Sequence, residues 1–229
     1  MIEQRTTKWF EARLGKVTAS RVADVVARTR TGWSASRAGY LNQLLAERLT
    51  GLVGPSPVTA VMQWGIDHED EARLAYQFRR DTDVAIGGFV PHPEIERSGA
   101  SPDGLIGADG LVEFKCPATT THLSTLLDRA VPDRHQLQVL WQLACTGRDW
   151  CDYVSYDPRL PESARLFIAR VERDDQRIVD LEGMVSDFLD ELDQVVALLD
   201  RQYGLRPLGI DHWQQLGAPI TANAITVTK

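Results

Sequence analysis

The chain has 229 residues, 43% hydrophobic and 25% charged, with 32 acidic against 25 basic side chains and a formal net charge of −7. That content suffices to bury one sizeable core, while no apolar run reaches the length of a membrane-spanning helix. Met1 to Arg13 is polar and charged, unlike a secretory leader. The three cysteines, Cys116, Cys145 and Cys151, form no Cys-x-x-Cys pair, and the five histidines are scattered; a reducing intracellular compartment is expected and structural zinc is not.

In chain order, Thr18-Ala19-Ser20 ahead of Val22, Val25 and Val26 predicts a short helix with a hydroxyl cap. Tyr40, Leu41, Leu44, Leu45 and Leu49 mark a second helix that ends near Gly51, and Gly54-Pro55-Ser56-Pro57 reads as a linker. A third helix is predicted from about Gly65 to Arg79, then short strands around Val84 to Val90 and Arg97 to Ala100. The strand Leu111 to Cys116 leads into a Thr-rich loop and a helix near His135 to Thr146, with Leu137, Leu140, Trp141 and Ala144 on its buried face and Gln138 offset from them. Asp152 to Tyr156 and Leu166 to Val171 complete the expected sheet. Asp174 to Leu199 reads as a long helix whose Ile178, Leu181, Val185, Phe188, Leu192, Val195 and Leu199 form a seam against the body of the protein or a neighbour. Past Gly204 the periodicity is lost, so residues 204–229 are expected to be a docking arm or a mobile end. The fold expected is α/β (α+β), one domain over residues 1–203.

Charge is unevenly spread. Met1 to Arg48 holds nine Lys/Arg against four Asp/Glu, hence +5, whereas Asp174 to Tyr203 holds two Arg against nine Asp/Glu, hence −7. The basic end is the one expected to face phosphates, with the acidic helix kept away from them; a plain solvated face is the ordinary alternative.

The most informative run is Ser101-Pro102-Asp103-Gly104-Leu105, followed by Val112-Glu113-Phe114-Lys115-Cys116-Pro117. Strand alternation points Glu113 and Lys115 one way and Phe114 and Cys116 the other. Asp109-Gly110 between apolar stretches predicts a hairpin that returns Asp103 beside Glu113. Mg²⁺ takes oxygen ligands and keeps several waters, so two carboxylates, the Phe114 carbonyl and a substrate phosphate suit it, with Lys115 to hold or deprotonate the attacking water. The bland alternative is a turn-capping Asp103 and a solvated strand face.

Trp9-Phe10-Glu11-Ala12-Arg13-Leu14-Gly15, Thr18-Ala19-Ser20, Trp64-Gly65 with Glu69 and Ala72-Arg73, Ser101 to Leu105, Glu113 to Pro117, Gln138 and Tyr156-Asp157-Pro158-Arg159 stand in one order along the chain. This set, spanning roughly Lys8 to Tyr203, resembles the lambda exonuclease group of YqaJ-like viral recombinases within the PD-(D/E)XK nucleases. The resemblance implies a restriction-endonuclease-like core, a central mixed β-sheet flanked by helices. It implies a processive Mg²⁺-dependent (Mn²⁺ substituting) 5′→3′ exonuclease on linear double-stranded DNA, a ring of three subunits, and 3′ overhangs handed to a single-strand annealing protein in the bacterial host cytoplasm, from a phage or prophage gene.

Residue by residue, the resemblance places Glu69 beside the metal site and gives Gln138 a supporting role there. It assigns Arg13, Ser20 and Ser101 to the terminal 5′-phosphate, Arg30 to a DNA-contacting loop, and Met62 to a wedge at the duplex end. The plain alternatives are an exposed helix carboxylate, a solvent-facing glutamine, a surface arginine, a helix cap, a turn serine and a core methionine. The Arg30 loop departs from the family pattern, with Trp33 and few lysines, and Ala118 to Arg134 is shorter than the family equivalent. Two rival functions share these residues: a DNA endonuclease of the same superfamily, and a non-catalytic DNA-end-binding protein of recombination.

Overall fold

The structure is a computed structural model that describes residues 2–54 and 59–205. Most of the predicted linker and the tail from residue 206 lie outside these residues. The elements in chain order are β1 (Ile2–Glu3), α1 (Thr7–Arg13), β2 (Val17–Thr18), α2 (Val22–Val25), β3 (Arg28–Thr29), β4 (Gly32–Trp33), α3 (Ala35–Thr50), α4 (Ala60–Arg80), β5 (Ala85–Ile86) and β6 (Gly88–Pro91). They continue with β7 (Ser98–Ala100), β8 (Gly104–Ile106), β9 (Gly110–Lys115), α5 (Thr119–Asp128), α6 (Asp133–Thr146), β10 (Trp150–Tyr156), β11 (Leu166–Glu172) and α7 (Asp175–Tyr203).

The main sheet has the order β11-β10-β9-β8-β5 and is mixed, since β9 and β10 run parallel while the other neighbours are antiparallel. A second sheet, β1-β6-β7-β2, and the small β3-β4 hairpin complete the β structure of the described residues. Helices cover both faces of the main sheet. On one face Leu111 of β9 joins α6 and α7 side chains such as Leu140, Trp141, Leu181 and Phe188; on the other Val112, Phe114 and Cys116 pack with Ala72 and Tyr76 of α4. This is the mixed α/β arrangement expected, and the split of odd and even β9 positions is the predicted alternation.

Local chemistry explains most boundaries. Helix α3 starts where the Ser34 hydroxyl accepts the Arg37 amide and stops at Gly51, whose φ of 67° suits glycine. Helix α4 begins at Ala60, ahead of the expected Gly65, because the Thr59 hydroxyl accepts the Met62 amide. Asp174 caps α7 in the same manner. The short helix after Ser20 forms, but neither its Arg21 cap position nor Thr18 before it makes a side-chain cap bond, so the expected hydroxyl cap is corrected.

Two further expectations change. The Thr-rich loop is helix α5, anchored by His122, which is fully buried, with Nδ1 2.7 Å from Ser155 Oγ and Nε2 2.8 Å from the Ala164 carbonyl. Tertiary anchoring overrides the low helix propensity of three successive threonines. The expected single strand Val84–Val90 is divided between two sheets at Gly87, where a Cβ would stand 2.0 Å from the Pro102 carbonyl oxygen. Acidic α7 is also tied to the basic stretch: Glu191 pairs with Arg37 at 2.7 Å and Asp193 with Arg48 at 2.6 Å.

All three cysteines are buried as small apolar residues. No helix of the described residues is long and apolar enough to cross a membrane.

Candidate active site

The hairpin β8–β9 builds the centre. Its register pairs Gly104 with Val112 and Ile106 with Gly110, so the next step sets Asp103 across from Glu113. Asp103 is held there by the Phe114 backbone N–H, which donates to its Oδ2 at 2.8 Å. Glu113, 1% exposed, accepts on Oε1 from the Lys115 ammonium and, at 2.5 Å, from Gln138 Nε2. Its Oε2 accepts from Gln142 Nε2 at 2.6 Å. Three donors thus face one buried carboxylate.

The electrostatics express crowding. Burial pushes the Asp103 carboxyl well above its ordinary range, and the neighbouring Glu113 and Glu69 charges push it further, against Lys115 and the Phe114 amide. Burial opposes the Lys115 charge, yet Glu113 and Asp103 outweigh it and drive the ammonium's pKa up. Lys115 thus lies beside two carboxylates that favour its charged form, a placement suited to holding water or stabilising negative charge.

Glu69 on α4 sits near enough to raise Asp103, and its own carboxylate pairs with Arg5 and lies 3.9 Å from Arg73. The structure thus brings Asp103, Glu113, Lys115, Glu69 and Gln138 together.

A second cluster adjoins the first. Ser101 Oγ accepts from Trp9 Nε1 at 2.9 Å and from Arg13 Nη1 at 3.2 Å, while the Arg13 guanidinium lies over the Trp9 ring at 4.0 Å. Burial lowers the Arg13 pKa to about 10. Ser101 and Asp103 are two residues apart, so their Cα atoms are separated by at most about 7 Å.

The remaining predicted positions fall elsewhere. Ser20 is exposed in the turn Ala19–Arg21, and among the described residues it makes no hydrogen bond to Ser101 or Arg13. Arg30 is exposed between β3 and β4, a hairpin braced by Arg28 and Arg37, whose guanidiniums lie 3.8 and 4.0 Å from the Trp33 ring centre. Met62, 49% exposed in the first turn of α4, is no core methionine.

Four residues of this neighbourhood escaped sequence reasoning. Trp9 shares a helix face with Arg13 at i, i+4, and Gln142 stands one turn beyond Gln138; both spacings are visible in the chain. His135 stacks on Tyr153, the residue paired with Glu113 across the sheet, and burial followed by the Lys115 charge lowers its pKa to about 4. Arg5 carries no sequence signal.

The donor set fits a hard divalent cation. Among the described residues no three acidic, histidine or cysteine side chains form a ready metal cage. Two carboxylates with room left for water and phosphate oxygens are what Mg²⁺ uses, and the crowding that raises Asp103 is relieved by a cation.

Comparison with known proteins matches residues 8–149 to the YqaJ-like viral recombinase domain. The chain belongs to the YqaJ-like viral recombinase family. Two structures of LHK-Exo, an alkaline exonuclease from Laribacter hongkongensis, are similar to this family member at 46% and 45% identity, with TM-scores of 0.82 and 0.81. Each match covers 87% of this chain and 98% of the other, and one of the two structures is a complex with dAMP. A phage-related exonuclease from Haemophilus somnus 129PT, 14% identical over 80% of this chain and 96% of its own, shares the fold at a TM-score of 0.67. The YqaJ-like chain thus has the restriction-endonuclease-like fold. No curated protein matches it.

Proposed function

We propose that this YqaJ-like protein is a Mg²⁺-dependent, processive 5′→3′ exonuclease that digests one strand of linear double-stranded DNA. The observation that carries this reading is the adjacency of two clusters: a half-buried guanidinium, indole and hydroxyl around Ser101, and the Asp103–Glu113–Lys115 group two residues further on. An anion pocket within one nucleotide's reach of a hydrolytic centre suits a terminal phosphate, and an endonuclease has no use for it. The similarity to LHK-Exo supports the same reading, its dAMP complex being that of a deoxynucleoside monophosphate.

Asp103, Glu113 and the Phe114 carbonyl would hold the cation, with Mn²⁺ as a substitute for Mg²⁺. When bound, the cation supplies an activated water and neutralises charge on the scissile phosphate. Arg13 and Ser101, braced by Trp9, hold the 5′-phosphate dianion, while Ser20, which the fold does not bring to them, is left out of this pocket. Lys115 orients the water and stabilises charge on the transferring oxygens. Glu69 and Gln138 keep the acidic cluster in place. Exposed Met62 wedges the terminal base pair apart, and Arg30 grips the duplex backbone.

One domain over residues 1–203 carries this activity, three copies form a ring around the DNA, and the 3′ single strand passes to an annealing protein for phage-type recombination in the bacterial cytoplasm. Linear and covalently closed plasmid offered with Mg²⁺ test the proposal. Mononucleotide release from the linear form alone, abolished by chelator and by Lys115→Ala with end binding kept, is the expected result. Cutting of the closed circle overturns exonuclease action in favour of an endonuclease; full activity of Lys115→Ala removes the proposed centre.

A further inference from the structure

We propose that Gln142 is a positioning residue of the metal centre, its amide fixing Glu113 Oε2 so that this carboxylate offers the cation a single open lone pair. The inference rests on the reading of Asp103 and Glu113 as metal ligands and extends it to a residue deep in the core.

Gln142 is fully buried in the middle of α6, among Val139, Leu140, Trp141, Leu143, Ala144 and Cys145, all buried as well. Composition alone would place an apolar side chain there, because an amide in such surroundings is costly unless hydrogen-bonded. Only half of this amide is used. Nε2 donates to Glu113 Oε2 at 2.6 Å, whereas Oε1 is buried without a hydrogen-bond partner among the described residues. The opposite orientation of the amide would set oxygen against carboxylate oxygen, so the bond to Glu113 dictates how the side chain sits. A core position that keeps an amide with an idle carbonyl is serving the carboxylate.

Counting lone pairs shows what that service is. A carboxylate has about four acceptor sites, two on each oxygen. Lys115 and Gln138 fill both on Oε1, and Gln142 fills one on Oε2. One site on Oε2 stays open. Gln138 and Gln142, one helical turn apart on α6, thus grip the two oxygens of a side chain that projects from β9 and stop it rotating about its terminal torsion. The cation then meets Glu113 through a chosen oxygen at a fixed angle to Asp103.

The test compares wild type with Gln142→Met and Gln142→Leu, which keep volume and remove the amide. Free Mn²⁺ is titrated by electron paramagnetic resonance, alongside the Mg²⁺ dependence of linear duplex digestion. Loss of an outer hydrogen bond to a metal ligand costs roughly 10–100-fold in metal affinity or activity. The expected result is a Mn²⁺ dissociation constant and half-saturating Mg²⁺ raised at least about tenfold on that scale. In parallel kcat falls, KM for DNA ends is unchanged, and excess Mg²⁺ restores part of the rate. A merely structural role would lower the melting temperature and leave Mn²⁺ affinity and the rate per folded enzyme within about twofold of wild type, well short of that range, which overturns the proposal. Should the apolar variants fail to fold, Gln142→Asn, one methylene too short to reach Oε2, is held to the same two outcomes. Failure of the wild type itself to bind Mn²⁺ or digest DNA would sink the metal-nuclease reading, and this inference with it. Wild-type behaviour in the variants removes Gln142 alone.

Discussion

Asp103 is where folding and function pull against each other. Its folded pKa is raised, so the folded state favours the protonated carboxyl; that contribution to stability is present at low pH and lost as pH rises through the raised value. At neutral pH the ionised group is therefore a cost. Asp103→Asn keeps an oxygen to accept the Phe114 amide and removes the charge, so melting in metal-free buffer is expected to rise, by about 2–4 °C for each kcal/mol relieved, while digestion is lost. A lower melting temperature would count against the crowding described. His135 has the opposite sign. Its pKa is lowered to about 4, so the stability it contributes is present above the ordinary histidine range and is lost as pH falls toward 4. In urea titrations between about pH 6.5 and 4, His135→Phe should lose less stability than wild type; parallel curves would exclude the histidine. Glu113 and Lys115 were legible because strand parity is fixed by geometry. Gln142 was not: its one-turn spacing from Gln138 is visible in the chain, but nothing local ties it to Glu113 on a separate strand.

Elements were legible where their signals are local. The Asp-Gly turn announced the β8–β9 hairpin, and the three-four spacing announced α7, whose Ile178, Leu181, Val185, Phe188 and Leu192 are buried in the core as a seam requires. Helix α5 was missed because what forms it is remote: His122 reaches Ser155 and Ala164 across the fold. The break at Gly87 was missed for the same reason, since its cause is a carbonyl fifteen residues on in the chain, at Pro102. That contact ties the β5–β6 crossing to the segment bearing Ser101 and Asp103. Gly87→Ala must displace the Pro102 carbonyl, so a loss of about 1–3 kcal/mol in urea unfolding is expected for such overpacking, together with a fall in digestion rate per folded molecule. Unchanged digestion would show that the Ser101–Asp103 segment tolerates the shift.

On the scale of the molecule, a net charge of −7 has to coexist with binding a polyanion. Two of the nine basic residues before position 49, Arg37 and Arg48, are taken up by Glu191 and Asp193 of α7. Arg5 and Arg21 pair with Glu69 and Asp24, so the proposed DNA contact would fall to Lys8, Arg13 and Lys16 and to Arg28 and Arg30 of the β3–β4 hairpin. Few phosphate contacts would give a shallow salt dependence and a weak grip per subunit, which the proposed ring would offset by topology. Light scattering at micromolar concentration is expected to give three times the chain mass, and a monomer would contradict ring-based processivity. Periodicity carries no trace of that number, because subunit count depends on surface shape. The central claim, that a phosphorylated strand end enters the Arg13–Ser101 pocket and is cut beside Asp103, is tested most directly on a blunt linear duplex. One end carries a 5′-phosphate, the other a 5′-hydroxyl, and each 5′-terminal strand bears its own label. Release of mononucleotides should begin at the phosphorylated end and proceed along that strand, with the preference lost in Arg13→Ala; equal loss from both ends, or release from the 3′ termini, would contradict it.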